Sequence, residues 1–224
     1  MANKKVEGTY EENLNSSEAF FQKYGKQALI ALVAIIVVVG GFFLYKEFVS
    51  KPNELAAQTA SRKGQDLLAQ QKYEDALKEF QKIQSDYSGT QAGNLANLYV
   101  GICYAKQAKP DYAKALENIE KYDTEDDMII SPASQMALGD VYADNNQLDK
   151  AVESFKKAAK MADDEAYNNT NLSIAPLALR KAGVILESQN KKTEALEIYK
   201  EIKTKYLNAP ISQDIDKYIE RASN

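Results

Sequence analysis

The 224-residue sequence contains no histidine and a single cysteine, Cys103. These absences exclude histidine-based catalytic triads, zinc sites built from histidine or several cysteines, and internal disulfide bonds. Glycine and proline are scarce, at ten and five residues, and 45% of the chain is hydrophobic, which excludes a disordered or collagen-like protein. The net charge of −4 argues against nucleic acid as the main partner. We therefore expect a folded, non-enzymatic protein with no cofactor, no metal site and no small-molecule substrate.

An uncharged apolar run of eighteen residues extends from Ala28 to Tyr45. As a helix it would be about 27 Å long, close to the hydrocarbon thickness of a bilayer. The residues before it contain four glutamates, unlike the short basic leader of a cleaved signal peptide. We predict an uncleaved transmembrane helix at 28–45, preceded by an N-terminal tail at 1–27. The lysine and arginine counts on the two sides do not decide the topology.

Behind this segment, residues 46–224 contain four similar units. In each unit a glycine is followed three residues later by tyrosine or leucine, and 12 or 14 residues later by an alanine. A large apolar residue follows that alanine by four positions. Small residues let two helices approach closely, and the large ones fill the space between them. The glycine and alanine pairs are Gly64 and Ala76, Gly101 and Ala115, Gly139 and Ala151, and Gly183 and Ala195.

This pattern resembles the tetratricopeptide repeat (TPR), a helix–turn–helix hairpin with small residues at two positions and an aromatic residue at a third. The resemblance implies an all-α, TPR-like α-solenoid of stacked hairpins over 46–224. The second unit departs from the pattern with two extra residues around Pro110, and inserted loops at 124–131 and 163–175 lengthen the period. The apolar stripe after Pro210 predicts a capping helix at about 210–222. Ser131, just before a proline, is expected to be an N-cap.

The first helix of each unit is expected to line the inner wall of the solenoid, where partners bind in such folds. Several of these positions, such as Leu98, Ile102 and Met136, have helical spacing that is equally typical of a core. The acidic runs at 125–127 and 163–165 lack calcium-loop spacing and are expected to be solvated. The predicted groove residues are Gln58, Ser61, Gln65, Leu68, Leu98, Ile102, Ala105, Met136, Asp140, Arg180, Val184 and Glu187.

A short acidic leader, the element from Phe20 to Lys26, one membrane helix and a divergent repeat domain together resemble the bacterial YfgM-type proteins. That family comprises inner-membrane accessories of the Sec translocon, and the resemblance implies a cytoplasmic tail and a periplasmic repeat domain. It also implies protein partners: translocon components, a membrane-bound chaperone or emerging secreted chains.

Three other functions remain open from the sequence, and one of them, that of an enzyme, would need a catalytic constellation that we do not find in it. A cell-envelope scaffold for division or peptidoglycan enzymes would use the same fold on the same side of the membrane. A cytosol-facing TPR receptor would need the opposite topology, and of the basic clamp that binds chaperone tails only Arg180 could be a member.

Overall fold

The computed structural model describes residues 3–223, with side chains for residue 18 and for residues 21–223. This part of the chain contains helices and turns and no β-strand. It divides into two compact units, Met1–Asn53 and Glu54–Asn224. The α-helices are α1 (Asn3–Tyr45), α2 (Lys51–Ala69), α3 (Tyr73–Asp86), α4 (Gln91–Lys106), α5 (Tyr112–Glu120), α6 (Ile130–Asp144), α7 (Leu148–Asp164), α8 (Ala175–Ser188), α9 (Lys192–Lys205) and α10 (Ile215–Ser223).

The first unit is built on α1, which is followed by a π-helical turn at Lys46–Ser50. The helix includes most of the predicted tail as well as the apolar run at 28–45, so no change of secondary structure separates them. Residues 1 and 2 and the side chain of Phe20 lie outside the described residues. Within the described part, one helix is long and apolar enough to cross a membrane, with a mean hydropathy of 2.8 over its most apolar stretch. The side chains of this stretch are exposed.

The second unit consists of the predicted hairpins, α2 with α3, α4 with α5, α6 with α7, and α8 with α9. Each repeat glycine lies against the large residue of the following helix. A Cβ atom added at Gly64 would lie 2.8 Å from the Phe80 ring, and one at Gly139 would lie 2.7 Å from the Phe155 ring. The corresponding contact at Gly183 is with the Tyr199 ring. The sequence interpretation of the glycines as points of close helix approach is therefore confirmed.

Three of the hairpins share one turn. Gln71, Asn146 and Asn190, which follow α2, α6 and α8, have φ values of 59°, 57° and 60°. A left-handed residue at this point ends a helix and satisfies its last carbonyl groups. The second hairpin, with its extra residues around Pro110, lacks a left-handed residue in its connection.

Two predictions about helix ends need correction. Ser131 lies inside the first turn of α6, and the side chain of Asp127 accepts hydrogen bonds from the backbone N–H groups at the helix start instead. The predicted capping helix at 210–222 is divided into a 3₁₀ turn at Pro210–Gln213 and α10. Ile215 and Ala222 of α10 are buried against the core formed by α6 to α9, so the element does close that end.

Candidate partner-binding cavity

A concave cavity of about 800 Å³ lies at the first-hairpin end of the second unit. The cavity is lined by one face of α2 and by the start of α4. The loop between α5 and α6 forms the opposite rim. Gln58, Ser61 and Gln65 of the predicted groove line this cavity, together with Leu95, Tyr122 and the segment Met128–Ile130.

Polar contacts between residues that line the cavity hold α2 against the start of α4. The Glu54 carboxylate accepts hydrogen bonds from the backbone N–H groups of Gln91 at 2.7 Å and Ala92 at 3.2 Å. Gln58 donates to the same carboxylate at 3.0 Å. The buried Ser61 hydroxyl donates to the backbone carbonyl of Ala57. Gln65 is exposed and makes no such contact, so its amide is available to a partner.

The predicted groove residues of α4 do not line the cavity. Leu98 is only 5% exposed and packs in the core shared by α4, α5 and α6, and Ala105 is buried in the same core. Ile102 is half-buried against it. The prediction that Leu98 faces a partner is therefore wrong, because this helix lies between two cores and buries opposite faces. Leu68 of α2 packs against the neighbouring core.

The predicted groove residues of the last two hairpins contact their own chain. Asp140 accepts a hydrogen bond from Lys181 at 2.6 Å, and Met136 is half-buried against the core. The guanidinium of Arg180 donates to the Tyr218 hydroxyl on α10 at 3.0 Å. Val184 alone among them is exposed without a polar partner.

Glu187 is the most strongly engaged of these residues. It accepts hydrogen bonds from the buried Tyr199 hydroxyl at 3.0 Å and from the Arg221 guanidinium on α10. Hydrogen bonds from Arg221 outweigh burial and lower the pKa of the Glu187 carboxyl. Tyr218 and Arg221 of α10 thus engage predicted groove residues at this end, whereas Gln58, Ser61 and Gln65 line an open cavity at the first hairpin.

The sequence interpretation missed the segment Met128–Ile130, which it assigned to an inserted loop. The side chains of Met128, Ile129 and Ile130 are 46%, 62% and 42% exposed at the rim of the cavity. The available signal was three consecutive large apolar residues inside an acidic loop. Large apolar side chains in a loop are expected to be buried or to contact a partner.

Hydrogen bonds hold this apolar segment in place. The Asp127 carboxylate accepts from the backbone N–H groups of Ile129 at 2.8 Å and Ser131 at 3.0 Å, and from the Ser131 hydroxyl at 2.6 Å. Burial alone would raise the pKa of Asp127, but these hydrogen bonds outweigh it and lower the pKa. Asn171 donates to the backbone carbonyl of Met128 at 3.1 Å. The exposed apolar side chains are therefore carried on an ordered backbone.

The charge of the cavity is predominantly negative. Its lining contains the carboxylates of Glu54, Glu125, Asp126, Asp127 and Glu165, and one basic side chain, Arg62. Over the whole chain the acidic and basic residues are nearly balanced, at 32 and 28. Within the described residues, no group of three or more candidate ligands is placed to hold a metal ion.

Comparisons with known proteins agree with this architecture. A family model for a tetratricopeptide repeat-like domain matches residues 18–209. The fold is similar to that of a candidate kinesin light chain from Podospora anserina with nearly identical TPR-like repeats. The TM-score is 0.60 at 14% sequence identity, and the match covers 76% of this chain and 86% of the Podospora chain. A single-substitution variant of that protein gives a TM-score of 0.59, also at 14% identity, over 76% and 85% of the two chains. No curated protein sequence matches the chain.

Proposed function

Because the chain belongs to the tetratricopeptide repeat-like domain family, we propose that it is a non-enzymatic scaffold that binds protein partners next to a membrane. The observation that carries this proposal is the open cavity at the first hairpin, which presents ordered apolar side chains to solvent. The exposed apolar stretch at 28–45 supports a membrane anchor, since a helix of this composition is normally covered by protein or lipid.

The partners that we propose are components of the Sec translocon, a membrane-bound chaperone or secreted chains. The support is the layout, in which an acidic leader and one apolar helix precede a divergent repeat domain, as in the YfgM-type proteins. In this arrangement the chain lies in a bacterial inner membrane with its repeats in the periplasm. Tethering the cavity near the exit site raises its effective concentration, so weak contacts with an emerging chain suffice.

Protease accessibility tests the topology. Spheroplasts that contain the full chain are treated with protease before and after the inner membrane is broken. Digestion of Pro52–Asn224 in intact spheroplasts is expected if the repeats are periplasmic. Protection until the inner membrane is broken would contradict this topology and favour the cytosol-facing receptor.

Site-specific photo-crosslinking in living cells tests the partners. A photoreactive residue replaces Gln65, which lines the cavity and is exposed, and in a matched control it replaces Glu74, which is exposed on α3 outside it. We expect adducts with translocon subunits, a membrane-bound chaperone or secreted chains at Gln65 only. Adducts with division or peptidoglycan enzymes would instead support the cell-envelope scaffold, and equal adducts at both positions would refute the assignment of the cavity.

A further inference from the structure

We infer that the cavity at the first hairpin binds protein segments in which lysine or arginine side chains stand next to apolar ones. This inference rests on the proposed function, that the chain binds protein partners, and specifies the chemistry of the partner. It depends on two properties of the cavity, its exposed apolar rim and its excess of carboxylates.

The apolar rim favours a partner with apolar side chains. Met128, Ile129 and Ile130 stand at the mouth of the cavity, and Leu95 and Tyr122 lie on its wall. Burying the rim side chains against a partner removes apolar surface from water, which is favourable. The backbone that carries them is already held by Asp127 and Asn171, so little order must be imposed on binding.

The carboxylates favour a basic partner. Glu125, Asp126 and Glu165 are exposed, and none of them forms an ion pair with another residue of the described chain. The two other acidic residues of the lining, Glu54 and Asp127, accept backbone hydrogen bonds at helix starts. Three carboxylates are thus free to pair with lysine or arginine side chains. The same charges repel the phosphate groups of nucleic acids and anionic lipids.

The size of the cavity limits what enters it. Cavities of roughly 300–1,000 Å³ accommodate a drug-sized ligand. The volume of about 800 Å³ therefore admits a few side chains of a segment whose remainder continues across the rim. The partner is a short unfolded or helical segment with basic and apolar side chains close together, and the cavity has no room for a folded domain.

Fluorescence anisotropy with defined peptides tests the inference on the full chain in a neutral detergent. The probe is a labelled peptide of about 12 residues composed of lysine, leucine and serine, a length that spans the cavity and its rim. In two matched peptides glutamate replaces every lysine, or serine replaces every leucine. We expect the lysine and leucine peptide to bind at least tenfold more tightly than either. Raising the salt concentration should weaken its binding several-fold, because exposed ion pairs are screened.

Matched variants locate the binding site. The triple change Glu125→Gln, Asp126→Asn and Glu165→Gln is expected to weaken binding about tenfold, since each exposed pair contributes modestly. Ile129→Ser should weaken it several-fold by removing apolar contact. The control changes Glu194, Glu197 and Glu201 to glutamine; these exposed carboxylates of α9 lie outside the cavity, and their loss alters the net charge equally. The control should bind as the unchanged chain does.

Three results would overturn the inference. One is equal binding of the lysine and glutamate peptides, and another is equal weakening by the two triple variants. The third is that the unchanged chain binds no peptide but forms a dimer, and that Ile129→Ser dissociates this dimer. That result would mean that the apolar rim contacts a second copy of the chain. The crosslinking at Gln65 separates this failure from failure of the proposed function. Protein adducts at Gln65 without preference for basic segments would leave the scaffold in place and remove only the inferred chemistry.

Discussion

Gly101→Ala is expected to destabilise the repeat unit, although alanine is the better helix former. A Cβ atom at Gly101 would lie 2.7 Å from the backbone carbonyl oxygen of Ala115 and would also collide with the Ile119 side chain. Overpacking of this kind costs about 1–3 kcal/mol. The helix propensity gained on replacing glycine by alanine offsets about 0.5–1 kcal/mol. The expected net loss in free energy of unfolding is therefore about 1 kcal/mol and at most about 2.5 kcal/mol.

Thermal unfolding followed by far-ultraviolet circular dichroism measures this loss on the full chain in detergent. For a unit of this size we expect Tm to fall by about 2–4 °C. Gly89→Ala is the matched control, because a Cβ atom at Gly89 meets nothing within 4 Å and the φ angle of this residue is negative. The control should leave Tm unchanged or raise it slightly.

Double variants test the cause of the loss. The three atoms nearest to a Cβ at Gly139 all belong to the ring of Phe155, so adding Phe155→Leu to Gly139→Ala should relieve the collision and give favourable coupling. Ile119→Ala should not rescue Gly101→Ala, because the Ala115 carbonyl oxygen is a backbone atom and stays in place. Equal Tm values for the variants at Gly101 and Gly89 would refute the argument that close backbone approach requires glycine at the repeat position.

Three further predictions concern single side chains. Burial raises the pKa of the Cys103 thiol to about 12, so iodoacetamide at pH 8 should modify this residue only after denaturation. Rapid labelling of the native chain would contradict the burial of Cys103. Asp127→Ala should lower the free energy of unfolding in urea by about 1 kcal/mol at neutral pH. Because folding lowers the pKa of the Asp127 carboxyl, the difference between this variant and the unchanged chain should shrink below about pH 4. A difference independent of pH would refute the capping role. Asn171 accepts hydrogen bonds from the backbone N–H groups of Ser173 and Ile174, just before α8, and donates to the Met128 carbonyl. Asn171→Ala should therefore lower Tm and weaken peptide binding together, and an unchanged Tm would contradict this structural role.

The hairpin architecture was predictable from the sequence because it depends on local contacts with a fixed spacing. Gly64, Gly139 and Gly183 precede the aromatic residue that they contact by 16 positions, and that interval is visible as a repeat. A helix pair with a short turn can meet in few other ways. The second hairpin was identified by the same residue types, although Gly101 and its contact Ile119 are 18 positions apart because of the extra residues around Pro110.

The structure places only some of the predicted groove residues on an open surface, and the reasons lie in the tertiary structure. The position of Leu98 within its repeat unit predicts that it lies on the inner wall. In the structure α4 lies between two cores, of which one contains Val100 and Cys103 and the other contains Leu98 and Ala105. When a helix is buried on opposite faces, the spacing of its apolar residues does not distinguish residues that face a partner from residues that pack in the core. Similarly, no local pattern indicates that α10 returns to pair with Glu187 across 34 residues.

The candidate binding site therefore depends on the segments that interrupt the repeat. The insertion after α5 contributes the apolar residues Met128–Ile130, and the insertion after α7 contributes Asn171, which holds the Met128 carbonyl across 43 residues of sequence. Asn171 is itself fixed by a 2.8 Å hydrogen bond from its backbone N–H group to the buried carboxylate of Asp163. Regular hairpins supply the support, and two irregular loops, joined by the hydrogen bond from Asn171 to Met128, hold the apolar surface of the proposed binding site. A comparison of related chains should therefore find the hairpin contacts retained where the partner differs, and the two loops altered together.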